Sequence, residues 1–111
     1  MAVYDEDKVF DEEAIRDTSV LNSNIAKTGE FQAQTIIIEN SLDQQVTLQL
    51  QGSRDNTKWL DINNAFNVAA STDDYETVTD YFPCYRMTAV CSVAPTSGLL
   101  TCWILKSNAV T

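Results

Sequence analysis

The sequence predicts an all-β chain: an antiparallel two-sheet β-sandwich carrying an acidic N-terminal arm. Two alternations and the spacing of the turns carry that expectation. From Gln45 to Gln51, Val46, Leu48 and Leu50 alternate with Thr47, Gln49 and Gln51, the period of a strand with one apolar and one wet face. The pattern returns from Cys84 to Val93, where Tyr85, Met87, Ala89, Cys91 and Val93 share one face and Arg86, Thr88, Val90 and Ser92 the other. Between the apolar runs lie short clusters of Gly, Ser, Asn and Asp, which form turns. About eight short strands at such spacing indicate a sandwich.

Residues 1–16 read as the arm and 17–111 as the sandwich domain. In the arm, Val9, Phe10, Ala14 and Ile15 are sparse among six acids. Either it is a solvated tail, or it orders on a neighbouring subunit with Val9, Phe10 and Ile15 as anchors. A short helix over Asp11 to Arg16 would suit acids at its N-terminus. Val20 and Leu21 mark a weak strand within Thr18 to Ile25, and Ala26 to Glu30 reads as a turn. Phe31 to Glu39 is a strand in which Ile36, Ile37 and Ile38 imply burial on both faces. The Val46 strand then turns at Gly52 to Asn56 into a second arm, Lys58 to Ile62, with Trp59 as a large mid-strand anchor. Asn63-Asn64 reads as a turn before a short strand, Ala65 to Ala69, with Phe66 and Val68 inward. Tyr75 to Thr79 follows after the loop at Ser71 to Asp74. The last strand, Leu99 to Lys106, is largely apolar on both faces: Leu100, Cys102 and Ile104 on one, Leu99, Thr101, Trp103 and Leu105 on the other. The sandwich could be immunoglobulin-like or jelly-roll-like.

At 111 residues the chain suits one domain. No apolar run approaches the roughly 20 residues of a membrane-spanning helix. The acidic start (Asp5, Glu6, Asp7) does not resemble a secretory signal, so synthesis and assembly in a cytoplasm are expected. The formal charge of −9 opposes nucleic-acid binding, which needs a cationic patch. With no histidine, acid–base catalysis would fall to carboxylates such as Asp73/Asp74 or Asp55/Asp61, which turns explain as well. Asp55, Asn56, Asp61, Asn63 and Asn64 offer oxygen donors for calcium but lack the order of a calcium loop. Cys84, Cys91 and Cys102 lack CxxC spacing and a histidine partner, which disfavours zinc. If Cys91–Cys102 spans a hairpin around Pro95, with Val93 opposite Leu100, Cys91 faces Cys102. A disulfide is then conceivable, although reduced buried thiols suit a cytoplasmic product. No enzyme activity, cofactor or metal is therefore expected. Trp59, Tyr75, Tyr81, Tyr85 and Trp103 could present rings to a sugar, which keeps a carbohydrate-binding module as the alternative function. The apolar outer side of the last strand, Trp103 and Leu105 with Val90 beside them, points instead to self-association.

The stretch VTLQLQGSRDNTKWLDI, followed by TVTDYFPCYRMTAVCSVAPTSGLLTCWILK, resembles small β-sandwich proteins encoded among the structural genes of tailed bacteriophages. The resemblance spans roughly residues 32–106 and rests on a strand–GSxD–turn–Trp strand and an Asp-Tyr-Phe-Pro lead-in. It implies a non-enzymatic virion protein that decorates or cements a capsid, or serves as a head or tail accessory. Its partners would be the major capsid protein or other virion proteins; the last strand and the arm together lead us to expect a homo-oligomer, with a trimer favoured. Val9, Phe10, Ile15, Val90, Trp103 and Leu105 are the expected interaction residues.

Overall fold

The computed structural model describes residues 4–27, 33–78 and 82–107; among them are nine strands and no helix. They are β1 (Tyr4–Glu13), β2 (Leu21–Asn22), β3 (Ala26–Lys27), β4 (Ala33–Asn40), β5 (Val46–Ser53), β6 (Leu60–Val68), β7 (Thr72–Val78), β8 (Cys84–Val90) and β9 (Leu100–Ser107). The first sheet has the order β1-β9-β4-β7; the second runs β2-β8-β5-β6, with β3 also on β8. All pairs are antiparallel. Ile36, Ile38, Cys102 and Ile104 of the first sheet and Leu48, Leu50, Met87 and Ala89 of the second belong to one buried core, which makes the molecule a β-sandwich. The start of the expected Phe31 strand, and Asp80 and Tyr81 of the Asp-Tyr-Phe-Pro lead-in, fall outside the described residues.

The acidic segment is not a separate arm. β1 pairs with β9 as an edge strand of the first sheet, and Val9, Phe10 and Ile15 are buried in the chain's own core. The expectation that these three anchor a neighbouring subunit is therefore corrected. So is the short helix, because the strand runs through Glu13. The register shifts between Lys8 and Phe10, and again between Phe10 and Glu13. Such a bulge lets adjacent residues face the same side, and here both Val9 and Phe10 point inward, an arrangement that no strict alternation displays. The acids then protect a free edge from pairing with other chains. Lys106 ties the strand down from inside: its buried ammonium donates to Asp7 Oδ2 at 2.9 Å and to the Lys27 carbonyl at 2.9 Å, with Asp5 at 3.6 Å.

Asn63-Asn64 is not a turn between two strands. Asn63 has φ +60° and sits within β6, where the register with β5 shifts between Leu48 and Leu50. Asparagine tolerates this left-handed conformation, so the strand absorbs a bulge and continues. Trp59 precedes β6 in the loop and is only half-buried; the Arg86 guanidinium lies 4.5 Å from its ring centroid. Gly52 is required where it stands, since a Cβ would come within 2.5 Å of the Phe82 ring.

The expected hairpin linking Cys91 to Cys102 is also corrected. β8 and β9 lie in different sheets, so the segment between them crosses the sandwich. It is held by the loop after β4: Asp43 accepts the Thr96 N–H and hydroxyl, and Ser41 N–H donates to the Leu99 carbonyl at 2.9 Å. Buried Pro95 and Gly98, at φ +89°, complete the crossing. Cys91 leads out of the second sheet and Cys102 sits in the first; both thiols are free and buried, as is Cys84.

Candidate association surface

The two outer faces of the sandwich differ in chemistry. On the second sheet, polar side chains satisfy one another: Arg86 Nε donates to Gln51 Oε1 at 2.7 Å, Gln51 Nε2 to Asp61 Oδ1 at 2.9 Å, and Thr47 Oγ1 to Asn67 Oδ1 at 2.7 Å. That is a solvated face. On the first sheet, the register places Lys8 opposite Trp103, Trp103 opposite Ile37, and Ile37 opposite Tyr75. Directly opposed residues share a face, so these four side chains form one row across β1, β9, β4 and β7. Adjacent strands lie about 4.8 Å apart, which makes the row about 14 Å wide. Leu105 stands in the next row, between Glu6 and Thr35.

Trp103, Ile37 and Leu105 are half-buried and Tyr75 is 66% exposed. Their neighbours Ile36, Ile38, Cys102 and Ile104 fill the core from the other side. The outer row is thus surplus to the interior. Lys8 Nζ sits 5.6 Å from the Trp103 ring centroid and 3.4 Å from Asp11 Oδ1, at the edge of an apolar strip otherwise bordered by Glu6, Glu39 and Asp73.

Of the sequence-derived interaction residues, Trp103 and Leu105 come together here. Val90 does not: it lies on β8, opposite Thr47 on the second sheet. Ile37 and Tyr75 complete the strip and were missed. Ile37 was hidden inside an apolar triplet, and Tyr75 among the acids of β7. A strict alternation applied to Ile36-Ile37-Ile38 would have turned the middle residue outward.

The other candidates have structural roles. Asp73 and Asp74 are consecutive in a strand and point to opposite faces, so they do not form a catalytic pair. Asp55 Oδ1 accepts the Lys58 and Thr57 N–H groups at 3.1 and 3.0 Å and the Ser53 hydroxyl at 3.2 Å, which organises the loop before Trp59. These bonds hold its carboxyl below the usual range. Among the described residues no group of three or more Asp, Glu, Cys or His could hold a metal ion. Burial pushes the Cys102 thiol up to about 12 and raises that of Cys91, so neither supplies a thiolate nucleophile at neutral pH. Tyr85 is 1% exposed and hydrogen-bonded inside, donating to Gln34 Oε1 at 3.3 Å; it offers no ring to a sugar.

No family profile and no curated protein matches the chain. Solved structures do. The PBSX exported protein XepA superposes with a TM-score of 0.69 and 18% identity over 98% of this chain and 38% of that one. The SPBc2 prophage-derived protein YomS gives 0.67 and 9% identity over 97% and 96% of the two chains. The fold is shared with prophage-derived proteins. PirA is similar as well, with a TM-score of 0.54 and 14% identity over 95% and 93%. The chain spans about two-fifths of XepA but nearly the whole of YomS, so its sandwich corresponds to part of one neighbour and to nearly all of another.

Proposed function

We propose that this protein is a non-enzymatic structural component of a bacteriophage particle: a capsid decoration or cement protein that self-associates and contacts the shell through the outer face of its first sheet. The observation that carries the proposal is the Trp103–Ile37–Tyr75 row with Leu105, an apolar strip on a sandwich whose core is complete without it. Aromatic and aliphatic side chains grouped on one face are the usual centre of an association surface. The two prophage-derived neighbours support the phage setting through their fold. A homotrimer on the major capsid protein is the arrangement favoured here.

Trp103→Asp tests this directly. It would place a carboxylate in the strip while leaving Leu100, Cys102 and Ile104 inside. Light scattering across a concentration series should show the native chain associating and the variant remaining monomeric with an unchanged far-ultraviolet circular dichroism spectrum. A native chain that stays monomeric and binds no purified phage shell would overturn the proposal. The second reading, a carbohydrate-binding module, rests on the exposed Tyr75 ring beside Ile37 and Trp103. Glycan-array binding that Tyr75→Ala abolishes would favour it.

A further inference from the structure

The sandwich is open along one side. Among the described residues, β6 pairs only with β5 and β7 only with β4, so each offers a free backbone edge. Between them lies a cleft of about 250 Å³. Ile36, Leu50, Ile62 and Val78 form its floor, Phe66 contributes a half-buried wall, and Glu76 stands at the rim. That volume is below the roughly 300–1,000 Å³ of sites that enclose a small-molecule ligand. It suits an inserted side chain.

The two edges are not equivalent. β6 carries the Asn63 bulge, whereas β7 keeps an unbroken register with β4 from Thr72 to Val78. β7 is therefore the better template for an added strand. Its core-facing positions, by register with Ile38, Ile36 and Gln34, are Asp74, Glu76 and Val78. Two carboxylates thus point to the inner side of the sheet, where the second sheet does not cover them: both are exposed, and neither has a salt-bridge partner among the described residues. A strand laid along this edge would meet acid, acid and an apolar cleft at alternate positions.

We propose that the β7 edge and the adjoining cleft form a docking slot for an extended cationic segment of a partner polypeptide. The segment adds to the first sheet as a fifth strand, main chain to main chain. Its residues opposite Asp74 and Glu76 are Lys or Arg, and the one opposite Val78 is an apolar side chain that enters the cleft. Main-chain pairing supplies affinity in such strand addition, and the alternate side chains supply specificity. The charge complementarity selects the occupant, since an acidic segment would be repelled at both positions. This slot is separate from the Trp103 strip and does not rest on its role.

The test uses the full chain and a synthetic peptide, acetyl-Thr-Val-Thr-Lys-Thr-Lys-Thr-amide, which reads antiparallel to β7. Titration followed by amide resonances should move those of residues 72–78. The version with Glu for both Lys should bind at least 10-fold more weakly, and a version with alternate backbone amides methylated should lose binding. Glu76→Lys should abolish the preference between the basic and acidic peptides, and Asp74→Lys added to it should reverse that preference. Asp11→Lys makes the same charge change on the opposite edge strand and should alter affinity less than twofold; Trp103→Asp should leave it unchanged. Absence of shifts along β7 at millimolar peptide would overturn the proposal and leave the carboxylates as guards of a free edge. An equal loss in Asp11→Lys would also overturn it, by showing attraction to net charge alone.

Discussion

Replacing Phe10 with alanine asks whether residues 4–13 are a strand of the body or a detachable appendage. Phe10 is 1% exposed and lies opposite Cys102, with Val9 buried beside it at the bulge. Truncating a fully buried phenylalanine costs about 3–5 kcal/mol, the transfer of the ring plus the cavity left behind. A domain of this size has only about 5–15 kcal/mol in total. At about 4 °C per kcal/mol, the midpoint should fall by roughly 12–20 °C. Thermal unfolding followed by circular dichroism measures it, with Val20→Ala as the reference. Val20 is 64% exposed, and its truncation should change stability by no more than about 0.5 kcal/mol. A Phe10→Ala midpoint within 2 °C of the native value would refute the reasoning. It would mean that β1 opens as a unit before the rest unfolds and adds nothing to global stability.

Asp7→Ala should cost more than Lys106→Met, about 1.5–3 kcal/mol for the former, because it removes a charged hydrogen bond from a buried ammonium while methionine removes the buried charge itself; denaturant melts of both variants give the order, and the reverse order would refute it. Gly98→Ala should destabilise by at least about 2 kcal/mol or prevent folding, because φ is +89° and the added Cβ would lie 1.9 Å from the Ser41 carbonyl oxygen; thermal melting measures it. The Thr96 hydroxyl and N–H hold the Asp43 carboxyl below its ordinary value of 3.8, so its contribution is present above that pH and lost as pH falls through the lower folded value. Asp43→Asn should therefore be destabilising near neutrality, and its gap to the native chain should close below pH 3.8 in a pH series of melts; a constant or widening gap would count against this.

Much of the fold was legible because one-sided sheets impose strict alternation. Val46 to Leu50 and Tyr85 to Cys91 place their apolar residues inward as their period requires. The failures have a common physical origin in backbone irregularity and in pairing between distant segments. The β1 bulge turns Val9 and Phe10 the same way, and the Asn63 bulge keeps β6 continuous through what reads as a turn. Trp59 misled for a different reason. A large aromatic ring next to a strand suggests burial, but the Arg86 guanidinium and the wet outer face of the second sheet give it an amphipathic berth instead. Sequence proximity likewise suggested a Cys91–Cys102 hairpin, whereas the Asp43 and Ser41 contacts carry that segment from one sheet to the other.

The association strip was half legible, and the missing half shows what creates it. Trp103 and Leu105 could be read from one strand, since a strand apolar on both faces needs cover on both. Ile37 and Tyr75 join them only through register. A slip of one residue between β4 and β7 would turn Tyr75 toward the cleft and bring Asp74 or Glu76 onto the outer face in its place. Asn40 stands at one end of that register. It lies opposite both Thr72 and Leu100, and its buried side chain donates to the Val68 and Ala69 carbonyls at 3.2 and 3.0 Å and accepts the Leu42 N–H at 3.0 Å. One buried amide therefore fixes the end of β4, where its alignments with β7 and β9 finish, against the end of β6. The apolar row and the acidic edge of β7 are the two sides of that alignment, so the strip and the docking slot depend on the same register.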